Sequence, residues 1–152
     1  MRLTELFLPE TVVTDLAAAD RDAALSAILS DLDRKGHLAD AATALSDVIA
    51  REQVMTTGVG HGVAVPHAYT AGVDRLVAGF YRVRAGVDFG APDGLDVDLI
   101  FMVLGPRERR REHIRILARI TRLLGNADFR DDVRRAPGTA DVLNVFRRFG
   151  DR

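Results

Sequence analysis

Val97-Asp-Leu-Ile-Phe-Met-Val-Leu104 is an apolar run broken only by Asp98. Strict alternation of apolar and polar residues would mark a strand with one wet face. A continuous run this short reads instead as a strand buried on both faces. Gly105-Pro106 ends it. On its N-terminal side, Ala91-Pro-Asp-Gly94 is a turn signal, and Leu76 to Val83 reads as another strand. On its C-terminal side, Arg110 to Leu124 has helical periodicity, with Ile116, Leu117, Ile120, Leu123 and Leu124 inward, and Gly125-Asn126 breaks it. Phe129 and Val133 predict a short helix. Thr139 is the expected cap of a last one, with Val142, Leu143, Phe146 and Phe149 on its apolar side.

Towards the N-terminus, Val12-Val13 reads as an early strand. Asp20 is the expected N-cap of a helix with Leu25, Ile28, Leu29 and Leu32 on one face, stopped by Gly36. Asp40 starts a second helix, with Leu45, Val48 and Ile49 inward, that runs to about Arg51. Helices, then strands, then helices again predict a single α/β domain over residues 1–152. Its architecture is a central mixed β-sheet flanked by α-helices.

The composition narrows the chemistry. The chain has 152 residues, 47% of them apolar and 28% charged, enough for one domain with a real core. Without cysteine, disulfides, thiolate catalysis and cysteine zinc sites are excluded. No apolar run approaches the roughly 18 residues that span a bilayer, and the N-terminus lacks a signal-peptide core, so cytoplasmic placement without membrane insertion is the default. A formal net charge of −1 predicts no nucleic-acid binding. Arg107, Arg109, Arg110 and Arg111 form a local basic cluster. Two readings of it stay open: a solvated loop and helix start, or a docking surface for an acidic partner or phosphate.

Between the second helix and the strands lies Arg51-Glu-Gln-Val-Met-Thr-Thr-Gly-Val-Gly-His-Gly-Val-Ala-Val-Pro-His67. Gly58, Gly60 and Gly62 alternate through it, and glycine permits tight turns and close approach of another molecule. The Gly-Lys-Ser/Thr ending of a nucleotide P-loop is missing, as is the dinucleotide glycine spacing. Cradling of a single phosphoryl group by backbone N–H donors remains open. Pro66 fixes the chain just before His67, which can act as nucleophile, proton shuttle or metal ligand. His37 reads as a surface or capping residue, His61 as an exposed loop residue, and His113 as lying at the apolar face of its helix. Arg51 either complements its helix C-terminus or forks onto phosphate oxygens. No Gly-x-Ser-x-Gly elbow or His-Glu-x-x-His helix is present. A metal-binding regulatory module using His61, His67 and His113 is the second reading.

The ordered set Arg51-Glu52, Thr57-Gly58-Val-Gly60-His61-Gly62-Val-Ala64-Val-Pro66-His67 resembles the signature of enzyme IIA domains of the bacterial phosphoenolpyruvate-dependent phosphotransferase system. The match is to type 2, the fructose/mannitol class that includes the nitrogen-regulatory proteins. It continues through Val87 to Gly94, Leu99 to Leu104 and His113 to Ala118. The resemblance implies a mixed sheet flanked by helices and a phosphohistidine relay without a cofactor. His67 would take a phosphoryl group from an HPr-type phosphocarrier and pass it to a IIB domain or act on a regulated protein. His113 would support it by hydrogen bonding, and Arg51 would stand close to the phosphoryl group. His61, Thr57, Gly58, Gly60 and Gly62 would complete the phosphoryl-binding surroundings. The sequence departs from the family pattern where His61 replaces a frequent asparagine, Ala68 a frequent glycine, and Tyr69-Thr70 a frequent basic residue.

Overall fold

The structure, a computed structural model, describes residues 2–150. In chain order the elements are β1 (Phe7–Val13), α1 (Arg21–Arg34), α2 (Ala41–Val54), β2 (Gly58–Gly60), β3 (Val63–Ala64) and β4 (His67–Tyr69), followed by β5 (Val77–Val87), β6 (Val97–Gly105), α3 (Arg110–Leu124), α4 (Ala127–Arg135) and α5 (Thr139–Gly150). The strands form one mixed sheet in the order β1-β5-β6-β3-β2, and β4 also pairs with β6. β6 runs antiparallel to β5 and parallel to β3 and β4.

The apolar run of β6 is covered on both faces, as its sequence predicts. Leu99, Phe101 and Val103 join a core with Ile116 and Ile120 of α3, Phe129 of α4 and Phe146 of α5. Ile100, Met102 and Leu104 join a second core with Leu25, Ile28, Leu29 and Leu32 of α1 and Val48 of α2. The result is a three-layer α/β domain. Side chains alternate across the strand, so each helical layer is served by every second residue. Asp20 and Asp40 cap their helices, accepting from the Ala23 N–H at 2.8 Å and the Thr43 N–H at 3.1 Å.

Several boundaries differ from expectation for identifiable reasons. β1 begins at Phe7 and not at Val12. Its middle carries Pro9 and a register irregularity between Phe7 and Val12, features an edge strand tolerates because one row of its N–H groups needs no ladder partner. β5 continues past Val83 to Val87, through the charged Arg84. Arg82 is buried, and its guanidinium donates to the carbonyls of Thr14, Val133, Arg134 and Ala136, closing the C-terminal end of α4. α2 extends beyond Arg51 to Val54. Thr139 is the first residue of α5, and its hydroxyl donates to the Val12 carbonyl at 2.9 Å, tying that helix to β1.

The glycine segment is not an open loop. β2 and β3 pair antiparallel, with Gly60 opposite Val63. The turn between them holds His61 at φ 58° and Gly62 at φ 77°. Positive φ at both central positions is what a two-residue type I′ hairpin requires.

Candidate active site

The site lies where β4, the end of α2 and the start of α3 meet. His67 and Tyr69 project from one face of β4, and their neighbours on β6 are Val103 and Gly105. α3 lowers His113 onto this row. The His67 and His113 ring centroids are 6.0 Å apart at an interplanar angle of 62°, and Tyr69 lies 4.5 Å from His113.

A chain of hydrogen bonds runs from α2 to the His67 ring. Glu52, buried in the last turns of α2, accepts from the Thr57 N–H at 2.7 Å and from the Thr57 hydroxyl at 2.6 Å. The Thr57 carbonyl accepts from the Val65 N–H at 3.0 Å. The Val65 carbonyl then lies 2.8 Å from His67 Nδ1. A carbonyl can only accept, so Nδ1 must carry the proton, and Nε2 keeps the lone pair in neutral His67. Burial lowers the His67 pKa from its ordinary 6.5, and the Val65 contact opposes that shift. The Arg51 charge lowers it further, while the Glu52 charge raises it. The neutral ring is therefore the favoured form at physiological pH.

His113 is fully buried, and neither ring nitrogen has a hydrogen-bond partner among the described residues. Its pKa is lowered to about 4, first by burial and then by the His67 charge. Near pH 7 it is neutral and offers a single ring N–H. Room for it exists because position 105 is glycine: a Cβ there would come within 2.9 Å of His113 Nδ1 and 2.8 Å of Leu76 Cδ2. Half-buried Arg51 donates from Nη1 to the Met55 carbonyl at 2.9 Å. It thus complements the end of its own helix, while its charge reaches His67.

Of the residues expected at the site, His67, His113, Arg51 and Thr57 converge. His61 does not. The β6 partners of Val63 and His67 are Leu99 and Val103, four residues or about 13 Å of strand apart, and His61 lies still further back. It shares a cleft with Thr121, Leu124 and Gly125, and Thr121 is about 12 Å along α3 from His113. The exposed His61 instead donates its backbone N–H to Asp93 at 2.9 Å, and its carbonyl accepts from Arg134. Gly60 and Gly62 travel with it. They serve the hairpin turn, and a Cβ on Gly62 would meet Arg134 at 2.6 Å. Gly58 packs against Ala91. The three-histidine metal site is corrected on the same geometry: no group of three or more His, Cys, Asp or Glu side chains among the described residues is placed to hold a metal ion.

Glu52 is a member of this hydrogen-bond chain to which the sequence pattern assigned no role. Its place beside Arg51 in the signature marked it, but only folding reveals that it holds Thr57 by both oxygens.

Comparison with known proteins agrees with this fold. The family model for the phosphoenolpyruvate-dependent sugar phosphotransferase system, EIIA 2, matches residues 5–149. The nitrogen regulatory protein of Pseudomonas aeruginosa is 34% identical over 94% of this chain and 92% of its own length. The fructose-specific EIIA component of Haloferax volcanii is 32% identical over 90% of this chain and 88% of its own. Among solved structures, nitrogen regulatory protein IIA-Ntr from Neisseria meningitidis superposes with a TM-score of 0.87 at 28% identity, covering 95% of this chain and 98% of that one. Mannitol enzyme IIA of Escherichia coli, solved in complex with phosphorylated enzyme IIB, shares the fold with a TM-score of 0.77 at 20% identity, over 90% and 94% of the two chains.

The mixed-sheet α/β fold is that of a phosphotransferase-system IIA domain. The chain belongs to the type 2 EIIA family of the phosphoenolpyruvate-dependent sugar phosphotransferase system.

Proposed function

We propose that His67 carries the phosphoryl group on Nε2, accepting it from a phosphohistidine on an HPr-type phosphocarrier. The acceptor is a IIB domain, as the named complex of the mannitol relative exemplifies, or a protein regulated by contact, as the nitrogen regulatory relatives exemplify. The observation that carries this reading is the 2.8 Å contact between His67 Nδ1 and the Val65 carbonyl, which leaves Nε2 as the nucleophile.

In the transfer, the donor's N–P bond breaks as the Nε2–P bond forms. The Nδ1 proton stays on His67, where the Val65 carbonyl stabilises the positive charge that develops on the ring. Donor and acceptor are both imidazole, so the exchange is close to thermoneutral and needs no nucleotide. Phosphoryl transfer asks the protein chiefly for alignment and charge stabilisation. Arg51 supplies that charge by exchanging or sharing its Met55 carbonyl contact, and neutral His113 supplies one N–H. Thr57 acts through the backbone, as the link between Glu52 and Val65.

A protein donor needs a docking surface. Val54 and Met55 at the end of α2 are 82% and 68% exposed, and Ile114, next to His113, is 51% exposed. Such apolar side chains flanking a reactive group suit the core of a transient protein interface.

The test is incubation with labelled phosphoenolpyruvate, enzyme I and HPr. The expected product is an acid-labile, base-stable label that His67→Ala abolishes. Persistence of the label in that variant refutes the assignment.

A further inference from the structure

His113 lacks the usual means of orienting an imidazole. Histidines at reactive sites are commonly held by a hydrogen bond from one ring nitrogen. Here both nitrogens are buried without a partner among the described residues. Among the described residues the ring is held by packing, and two neighbours on the sheet contribute to it. Gly105 forms the floor, with His113 Nδ1 so close that a Cβ would lie 2.9 Å away. Tyr69, paired with Gly105 across β4 and β6, lies against the ring at a centroid separation of 4.5 Å and an angle of 42°.

Tyr69 is itself held from outside. Arg110, in the first turn of α3 and one helical turn before His113, places its Cζ 5.8 Å from the Tyr69 ring centroid. That is cation–π range. Tyr69 also shares its strand face with His67 two residues earlier. The four side chains therefore form a row, Arg110 over Tyr69, Tyr69 against His113, His113 beside His67.

We propose that Tyr69 is a positioning residue for phosphoryl transfer, fixing the His113 ring against Gly105 so that one ring nitrogen faces the group carried on His67, with Arg110 clamping Tyr69 in place. The inference rests on the phosphohistidine reading of His67. It assigns a task to a position where the sequence departs from the frequent basic residue of the family: an aromatic wall replaces a side-chain charge, and Arg110 brings a cation back from the neighbouring helix. The tyrosine hydroxyl has no part in this task, so phenylalanine should replace tyrosine and a small side chain should not.

The test uses the full chain as wild type, Tyr69→Phe, Tyr69→Ala and Arg110→Ala. Ring 1H–15N correlation spectra report the His113 titration, and transfer from phosphorylated HPr reports the rate. In wild type and Tyr69→Phe, His113 titrates well below its ordinary range and transfer is equally fast. In Tyr69→Ala, water reaches the ring, the His113 titration moves up towards 6.5, and the saturated transfer rate falls about tenfold to a hundredfold, the scale of a misplacement near 1 Å. The phosphocarrier concentration at half-saturation is unchanged. Arg110→Ala gives an intermediate loss. If Tyr69→Ala proves unfolded by its amide spectrum, Tyr69→Leu replaces it with the same expectations.

Wild-type transfer in the Ala or Leu variant overturns the proposal, as does loss of transfer in Tyr69→Phe. Failure of the wild type to accept phosphate would refute the phosphohistidine reading instead. The His113 titration would then still decide whether Tyr69 holds the ring.

Discussion

Replacing Glu52 with glutamine tests the hydrogen-bond chain that reaches His67. The carboxylate accepts two bonds from Thr57, at 2.7 Å and 2.6 Å, in a site 2% exposed. Hydrogen bonds to a charged group contribute about 1.5–3 kcal/mol each. Glutamine keeps the shape: its amide oxygen accepts from the Thr57 N–H and its NH2 donates to the Thr57 hydroxyl oxygen, so both bonds persist but lose the strength a carboxylate gives them. The neutral amide also costs less to bury, which offsets part of the loss. The net expectation is destabilisation by about 1–2 kcal/mol. For a domain of this size, each kcal/mol lowers Tm by roughly 2–4 °C. The electrostatic consequence has a definite sign. Glu52 raises the His67 pKa, so its neutralisation lowers that pKa further and shifts the ring resonances accordingly. Urea denaturation at pH 7 and the His67 ring titration measure the two effects. Unchanged stability together with an unchanged His67 titration would refute the mechanical role given to Glu52.

Three further outcomes follow from the same geometry. Because the His113 pKa is held near 4 in the folded protein against an ordinary 6.5, the native state binds fewer protons than the unfolded chain between those values. Stability should thus be fullest above pH 6.5 and fall by about 3 kcal/mol as pH drops through 4, with His67 adding in the same direction; urea midpoints measured across that range should lose this component in His113→Gln, and a flat wild-type profile would contradict the burial. Gly105→Ala places a methyl group against His113 and Leu76, and calorimetry should register about 1–3 kcal/mol of overpacking alongside slower transfer. His61→Ala should leave transfer from phosphorylated HPr unchanged, and a large loss of rate would place His61 back at the reaction centre.

Much of the architecture was legible in local pattern. The β6 run announced burial on both faces, and Asp20 and Asp40 sat where helix caps were expected. The parts that sequence concealed depend on distant partners. Arg82 fell inside an expected strand, yet its Nη1 donates to the carbonyls of Val133, Arg134 and Ala136, more than fifty residues away. β1 was expected only at Val12-Val13, because the edge position and register irregularity that accommodate Pro9 are properties of the sheet. At the site, the signature located His67, and its resemblance named His113 and Arg51. It drew His61 in by proximity along the chain, whereas strand register carries that residue about 13 Å and more from His67. Glu52 and Tyr69 went unassigned because their roles are contacts: two oxygens on Thr57, and one ring against His113.

The most direct test of the central claim is the position of the phosphoryl group on the imidazole. Long-range 1H–15N correlation of the phosphorylated chain distinguishes the two ring nitrogens. The hydrogen bond from Nδ1 to the Val65 carbonyl requires phosphorylation of His67 at Nε2, with Nδ1 still protonated. A phosphoryl group on Nδ1 of His67, or on any other histidine, would contradict it.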